Sequence, residues 1–189
     1  ICNNFKELAQ DQNGLCVMKK IIEYAKTDTK KQKRVVDNII VDSLEYVQHE
    51  FGNFVVQEII NLYDFGMCEP IYDQMAGHFQ RLSLNKFSSK LIETCIDRAP
   101  LELQEKILKE FCSSPCLHKV VQSNFGNFVL QKSIQHYFKL KRHKLELIAR
   151  IIKSLDEVSD FKVQEKWGDQ LLVRYLNDLE VHPHNPAEI

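Results

Sequence analysis

Glycine and proline are scarce, at 6 and 5 residues in a chain of 189. An all-β domain draws on both for its many turns, so the scarcity favours helices joined by short connections. No apolar run approaches the roughly 18 residues of a membrane span, and no basic segment followed by an apolar one stands at the start. The chain is therefore expected to be soluble and intracellular. Excess charge of one sign is missing too: 25 basic residues face 26 acidic ones, for a formal net charge of -1. That balance argues against a protein that holds nucleic acid mainly by bulk positive charge. It leaves room for recognition of single-stranded bases by side chains, which depends less on net charge. Cys-x-x-Cys spacing is absent, although Cys2, Cys16, Cys68, Cys95, Cys112 and Cys116 are even in number. With Cys16 and Cys95 inside apolar helical runs, buried reduced thiols are expected rather than disulfides or zinc ligands. The chain begins at Ile1, inside what reads as a first helix, and is expected to be a piece of a longer protein.

What the chain does have is repetition. Phe51-Gly52-Asn53-Phe54-Val55-Val56-Gln57 returns almost letter for letter as Phe125-Gly126-Asn127-Phe128-Val129-Leu130-Gln131. Weaker copies run from Phe87 to Glu93, from Asn13 to Lys19 and from Trp167 to Val173. The intervals are 38 residues from Gly14 to Gly52, 36 to Ser88, 38 to Gly126 and 42 to Gly168. A period of that length belongs to stacked helical repeats.

Each unit reads as three short helices. In the first, residues 5–10 lead through a turn at 11–14 to a helix from Leu15 to Ala25, with Val17, Met18, Ile21 and Ile22 on one face. A third helix opens at Lys30 and turns Val35, Val36, Ile39 and Ile40 inward. The second unit places helices at 44–49, 53–62 and 69–79, with Pro70 in a first-turn position where its missing N–H costs nothing. The third unit reads as 82–87, 89–98 and 100–111, the fourth as 117–124, 127–138 and 144–155, and helices at 158–166 and 170–178 end the series. The units therefore run over about 1–41, 42–79, 80–114, 115–155 and a terminal cap at 156–180, followed by a tail at 181–189 without apolar period. One unit alone cannot bury such faces; stacking them makes a continuous core, with the second helices lining one surface.

Two polar residues recur on that surface. Asn53 and Gln57 are four apart and so share a helix face, as do Ser89 and Glu93, and Asn127 and Gln131. Asn53 and Asn127 alone would suit helix N-capping. Capping explains neither a glutamine or glutamate four residues later nor the phenylalanine beside it.

Here the sequence resembles the Pumilio-type RNA-binding repeat family, in which the first and fifth residues of a helix pentad contact one base edge and the second stacks between bases. The resemblance implies an all-α, right-handed, curved α-solenoid of three-helix repeats with the second helices on the concave face. The pentads that carry it are Asn53-Phe54-Val55-Val56-Gln57, Ser89-Lys90-Leu91-Ile92-Glu93 and Asn127-Phe128-Val129-Leu130-Gln131. In this family Asn-aromatic-x-x-Gln implies uracil and Ser-x-x-x-Glu implies guanine. The chemistry agrees: a glutamine amide offers a donor and an acceptor to uracil, whereas a carboxylate offers acceptors to the two adjacent donors of guanine. With RNA running antiparallel to the protein, the three pentads imply 5′-UGU-3′. Phe54 and Phe128 would stack on bases, and the Lys90 stem would cover one while its ammonium meets phosphate. In the first unit Leu15, Cys16 and Lys19 stand at the corresponding positions, so Cys16 and Lys19 are expected to make at most a weak RNA contact. Asp169, Gln170 and Val173 fit a terminal cap. The resemblance further implies messenger RNA 3′ untranslated regions as targets, regulation of translation or stability in the cytoplasm, and protein co-regulators on the convex face. It matches the C-terminal half of the family's repeat domain, and an uncovered apolar face at the first unit is expected to weaken stability or promote self-association.

A protein-binding solenoid of the HEAT or armadillo kind shares the fold and the charge balance, but leaves the paired polar positions without a reason. An enzyme is not expected, nor a cofactor, a small-molecule substrate or a membrane. Glu93 with His118 or Asp97, and His182 with His184, lack a third partner at catalytic or metal-binding spacing.

Overall fold

The computed structural model describes residues 4–113 and 117–139. They form eleven helices and, among the described residues, no strand. The first unit holds α1 (Phe5–Gln10), α2 (Gln12–Ala25) and α3 (Thr29–Ile40). The second holds α4 (Ser43–Tyr46), α5 (Gly52–Leu62) and α6 (Phe65–Met75), and the third α7 (Phe79–Ser83), α8 (Ser88–Arg98) and α9 (Leu101–Ser113). The fourth is described through α10 (Leu117–Gln122) and α11 (Gly126–Lys139). The expected helix at 144–155, the cap at 156–180 with Asp169, Gln170 and Val173, and the tail at 181–189 lie outside the described residues.

Second helices pack side by side, α2 on α5, α5 on α8 and α8 on α11. Their contact surfaces are the apolar pairs read from the sequence: Val55, Val56 and Ile59, then Leu91, Ile92 and Cys95, then Val129 and Leu130, all inaccessible to solvent. Third helices close the other side of the core with Val36 and Ile39, Ile71 and Met75, and Ile107, Leu108 and Phe111. Two buried phenols also tie neighbouring units together. Tyr63 Oη donates to the carbonyl of Ile22, and Tyr72 Oη to that of Cys95, each at 3.2 Å. Burial pushes the Tyr63 hydroxyl up to about 12, which keeps it a donor at any physiological pH.

Some expectations need correction: α2 already begins at Gln12, inside the expected turn at 11–14, and α7 lies at Phe79–Ser83 rather than 82–87. Pro70 is not in a first turn, because α6 begins at Phe65 and the proline sits inside the helix. The carbonyl it leaves without a helical donor is that of Gly66, and both residues are exposed, so that carbonyl is open to solvent. Val17 does not share the buried face of α2: it is 47% exposed while Met18 and Ile22 are fully buried. Cys16 is likewise exposed, whereas Cys68, Cys95 and Cys112 are buried and outside any disulfide. Burial raises the Cys68 thiol to about 12 and that of Cys95 further still.

Candidate functional site

Each second helix starts from a tight turn whose donors need acceptors. In the second unit His49 Nδ1 accepts from the backbone N–H groups of Phe51 and Gly52 at 3.2 and 3.3 Å. Asn85 Oδ1 does the same for Phe87 and Ser88 at 2.8 and 3.1 Å, and Ser123 Oγ for Phe125 and Gly126 at 3.2 and 3.1 Å. Asp11 Oδ1 takes the Gly14 N–H at 2.7 Å. Capping therefore belongs to a residue three positions ahead of the glycine, not to Asn53 or Asn127. Those two lie inside the helices, and the sequence reading overlooked the capping position because four different residue types fill it.

The first residue of each pentad bonds back to the preceding turn. Asn53 Nδ2 donates to the carbonyls of His49 and Glu50 at 2.7 and 2.9 Å, Asn127 Nδ2 to that of Ser123 at 2.5 Å, and Ser89 Oγ to that of Lys86 at 3.3 Å. The asparagine oxygens then take the glutamines. Gln57 Nε2 donates to Asn53 Oδ1 at 2.8 Å and Gln131 Nε2 to Asn127 Oδ1 at 3.3 Å. Asn53 is 2% exposed, with its donors and its acceptor all engaged, so in this arrangement it orients Gln57 rather than offering its own edge. Asn127 is half-buried and bonds one carbonyl only.

Glu93 has no asparagine behind it. Its Oε2 is met instead by Lys90 Nζ at 3.1 Å along the same helix and by Lys132 Nζ at 3.9 Å from α11. Both lysines approach one oxygen, and each carboxylate oxygen carries two lone pairs, so acceptor capacity remains for a ligand with paired donors. Lys132 also pairs with Asp97 at 2.5 Å, and His136 Nε2 lies 3.0 Å from the other oxygen of Asp97. Lys132 and His136 were not singled out in the sequence, and Asp97 entered only as a rejected acid–base partner of Glu93, since their meeting depends on how α8 stacks against α11.

The second pentad residues face solvent. Phe54 is 44% exposed and Phe128 56%, an uncommon position for phenylalanine, and Lys90 is exposed on the helix between them. Lys19 Nζ stands 5.9 Å from the centre of the Phe54 ring and 3.8 Å from Glu58 Oε2, and Cys16 is exposed beside it on α2. Asn53, Phe54, Gln57, Ser89, Lys90, Glu93, Asn127, Phe128 and Gln131 thus sit on three consecutive second helices, α5, α8 and α11, each unit placing its polar pair one turn apart. Among the described residues no group of three or more histidine, cysteine or acidic side chains could hold a metal ion.

The sequence model of the Pumilio-family RNA binding repeat matches residues 4–40, 44–76, 78–112 and 121–139. The chain belongs to the Pumilio family. Among curated Pumilio proteins, pumilio homolog 12 of Arabidopsis thaliana is 30% identical over 129 residues, covering 68% of this chain and 21% of that one. A Pumilio domain-containing protein of Schizosaccharomyces pombe is 29% identical over 151 residues, 80% of this chain and 22% of that one. The chain thus spans less than a quarter of the length of these relatives. Among solved Pumilio folds, PUF-8 in complex with PBE-RNA superposes with a TM-score of 0.72 at 19% identity, over 95% of this chain and 51% of that one. The Puf4 RNA binding domain bound to an RNA recognition sequence gives 0.69 at 17% identity, over 98% and 61%. At such identities the superpositions establish the fold, a solenoid of stacked Pumilio repeats.

Proposed function

We propose that the face formed by α2, α5, α8 and α11 binds single-stranded RNA carrying 5′-UGU-3′, one base per repeat, without catalysis. Gln131 with Asn127 reads the first uracil, Glu93 with Ser89 the guanine, and Gln57 with Asn53 the second uracil, while Phe54, Lys90 and Phe128 stack on the bases. The observation that carries this reading is the placement of Glu93. A carboxylate held by two lysines stands between two amides, each amide held by its own asparagine, with exposed rings alongside. Family membership supports it, as do the RNA-bound states of PUF-8 and Puf4. Through such binding the protein would act on messenger RNA 3′ untranslated regions in the cytoplasm to control translation or stability, and protein co-regulators would use the opposite surface.

The test is a fluorescence-anisotropy titration of the protein with a short RNA containing UGU, beside the same RNA carrying UCU, at two salt concentrations. Preference for UGU is expected to survive added salt. Equal binding of both that vanishes with salt would reduce the face to a phosphate contact. No binding to either would turn the face over to a protein partner.

A further inference from the structure

Neighbouring second helices meet at a constant offset. The fifth residue of each pentad approaches the residue that follows the pentad in the next unit. Lys19 Nζ is 3.8 Å from Glu58 Oε2. Thr94 Oγ1 faces Gln57 Oε1 at 3.5 Å as well as the carbonyl of Lys90 at 3.2 Å. Lys132 Nζ is 3.9 Å from Glu93 Oε2. In all three cases the chemistry is matched: an acid to a lysine, a hydroxyl donor to an amide oxygen, an ammonium to a carboxylate. One helical turn further along the same offset recurs where no base reader stands. Arg98 Nη2 donates to the carbonyl of Asn61 at 2.7 Å, and His136 Nε2 meets Asp97 Oδ1 at 3.0 Å. The offset is therefore the stacking register of the helices, and the position after each pentad is the one that register delivers to the neighbouring reader.

We propose that the residue following each pentad is a specificity-determining positioning residue for the reader of the preceding unit: Thr94 for Gln57, and Lys132 for Glu93. This rests on the RNA-reading role proposed above. A glutamine amide free to turn over presents either its donor or its acceptor to a given base atom. Gln57 is tied at its nitrogen by Asn53 Oδ1, and the single Thr94 hydroxyl proton, shared with the Lys90 carbonyl, reaches its oxygen, so one orientation is favoured. A glutamate free to swing sweeps its acceptors past several base edges, whereas Lys132, itself anchored by Asp97, draws one oxygen toward α11. Base choice at a given unit then depends on three residues of its own pentad and on one residue of the next unit.

The decisive experiment measures anisotropy affinities of the protein for four short RNAs that differ only in the middle base of U-x-U. Lys132→Met keeps the aliphatic stem and removes the donor. It is expected to lower the preference for guanine over the other three bases about five- to tenfold, the size of coupling between side chains in contact, while Lys132→Arg retains that preference. A uniform loss of affinity with unchanged base ratios, or no change, would overturn the proposal while leaving the reading of UGU intact. A wild-type protein without preference for guanine would overturn both. Two further variants keep the question open to refutation if Lys132→Met fails to fold as judged by thermal melting. Thr94→Val is expected to relax choice only at the base facing Gln57. Glu93→Gln combined with Lys132→Thr, which rebuilds the Gln57–Thr94 pairing one unit along, should favour uracil at the middle position more than Glu93→Gln alone, and equal preference in the two would count against the proposal.

Discussion

Phe54 and Phe128 pose the sharpest question at the residue scale, because each leaves about half of a large apolar ring in water. Folding gains little from such a placement, so substitution should cost little stability. Phe54→Ala and Phe128→Ala are expected to melt close to the wild-type temperature, within about 0.5 kcal/mol of stability, while RNA affinity falls by roughly 1–3 kcal/mol per ring. Base preference should hardly change, since every base has a face to stack. An altered preference with no loss of affinity would show that stacking is the wrong role. The pentads were legible in the sequence because reader and stacker lie within five consecutive residues and recur with the period. What surrounds them was not. The back-bonds of Asn53 and Asn127 need the geometry of the preceding turn, and Lys132 reaches Glu93 only through a neighbouring helix 39 positions away in the sequence.

At the scale of the element, the close approach of first to second helix decides what the turn can hold. A Cβ at Gly52 would stand 2.8 Å from the Tyr46 carbonyl oxygen, which is backbone and cannot swing aside. Ser88 occupies the same register in α8 and donates its hydroxyl to the matching carbonyl, that of Leu82, at 2.6 Å, so the third unit has room that the second lacks. Gly52→Ala is expected to destabilise by about 1–3 kcal/mol through overpacking. Gly66→Ala in α6, where an added Cβ meets nothing within 4 Å, should stabilise by roughly 0.5–1 kcal/mol. Urea midpoints of the two variants moving in the same direction would contradict this account of the packing. Between α1 and α4, Lys6 Nζ and Gln10 Nε2 each donate to a Glu45 oxygen at 2.7 Å, and these bonds hold the Glu45 carboxyl below its ordinary range. A carboxyl lowered in the folded state stabilises the fold above its unfolded pKa, about 4.3, and loses that contribution as pH falls through the folded value. Thermal midpoints measured from pH 6 down to pH 3 should therefore drop less steeply for Glu45→Gln than for the wild type, and parallel profiles would refute the coupling. Helix order and the apolar pairs of the second helices were visible from periodicity alone. The start of α6 was not, because Pro70 signals a first turn more strongly than the Phe65-Gly66 stretch signals a helix already under way.

For the molecule as a whole, stability in a stack is the sum of what each unit holds and what each interface between units adds. Val17, Val55, Leu91 and Val129 stand at the same place in four successive second helices. The last three are inaccessible to solvent, in helices that each pack on the second helix of the unit before, while Val17 is 47% exposed and Tyr24, two turns further along α2, is 72% exposed. The sequence alone could not separate these valines, because helical period assigns both to an apolar face and only the neighbour decides whether that face is covered. Val55→Ala is expected to cost about 1.5–3 kcal/mol, the value of a fully buried valine side chain, and the interface between the first and second units should weaken with it. Val17→Ala should stay within about 0.5 kcal/mol of the wild type. Hydrogen exchange of the α2 and α5 amides resolves the difference, since loss of the interface lets the first unit open alone: Val55→Ala should speed exchange throughout α2, and Val17→Ala should leave it unchanged. Equal effects of the two substitutions would mean that α2 draws its stability from within its own unit and that the stack is not built as a chain of interfaces.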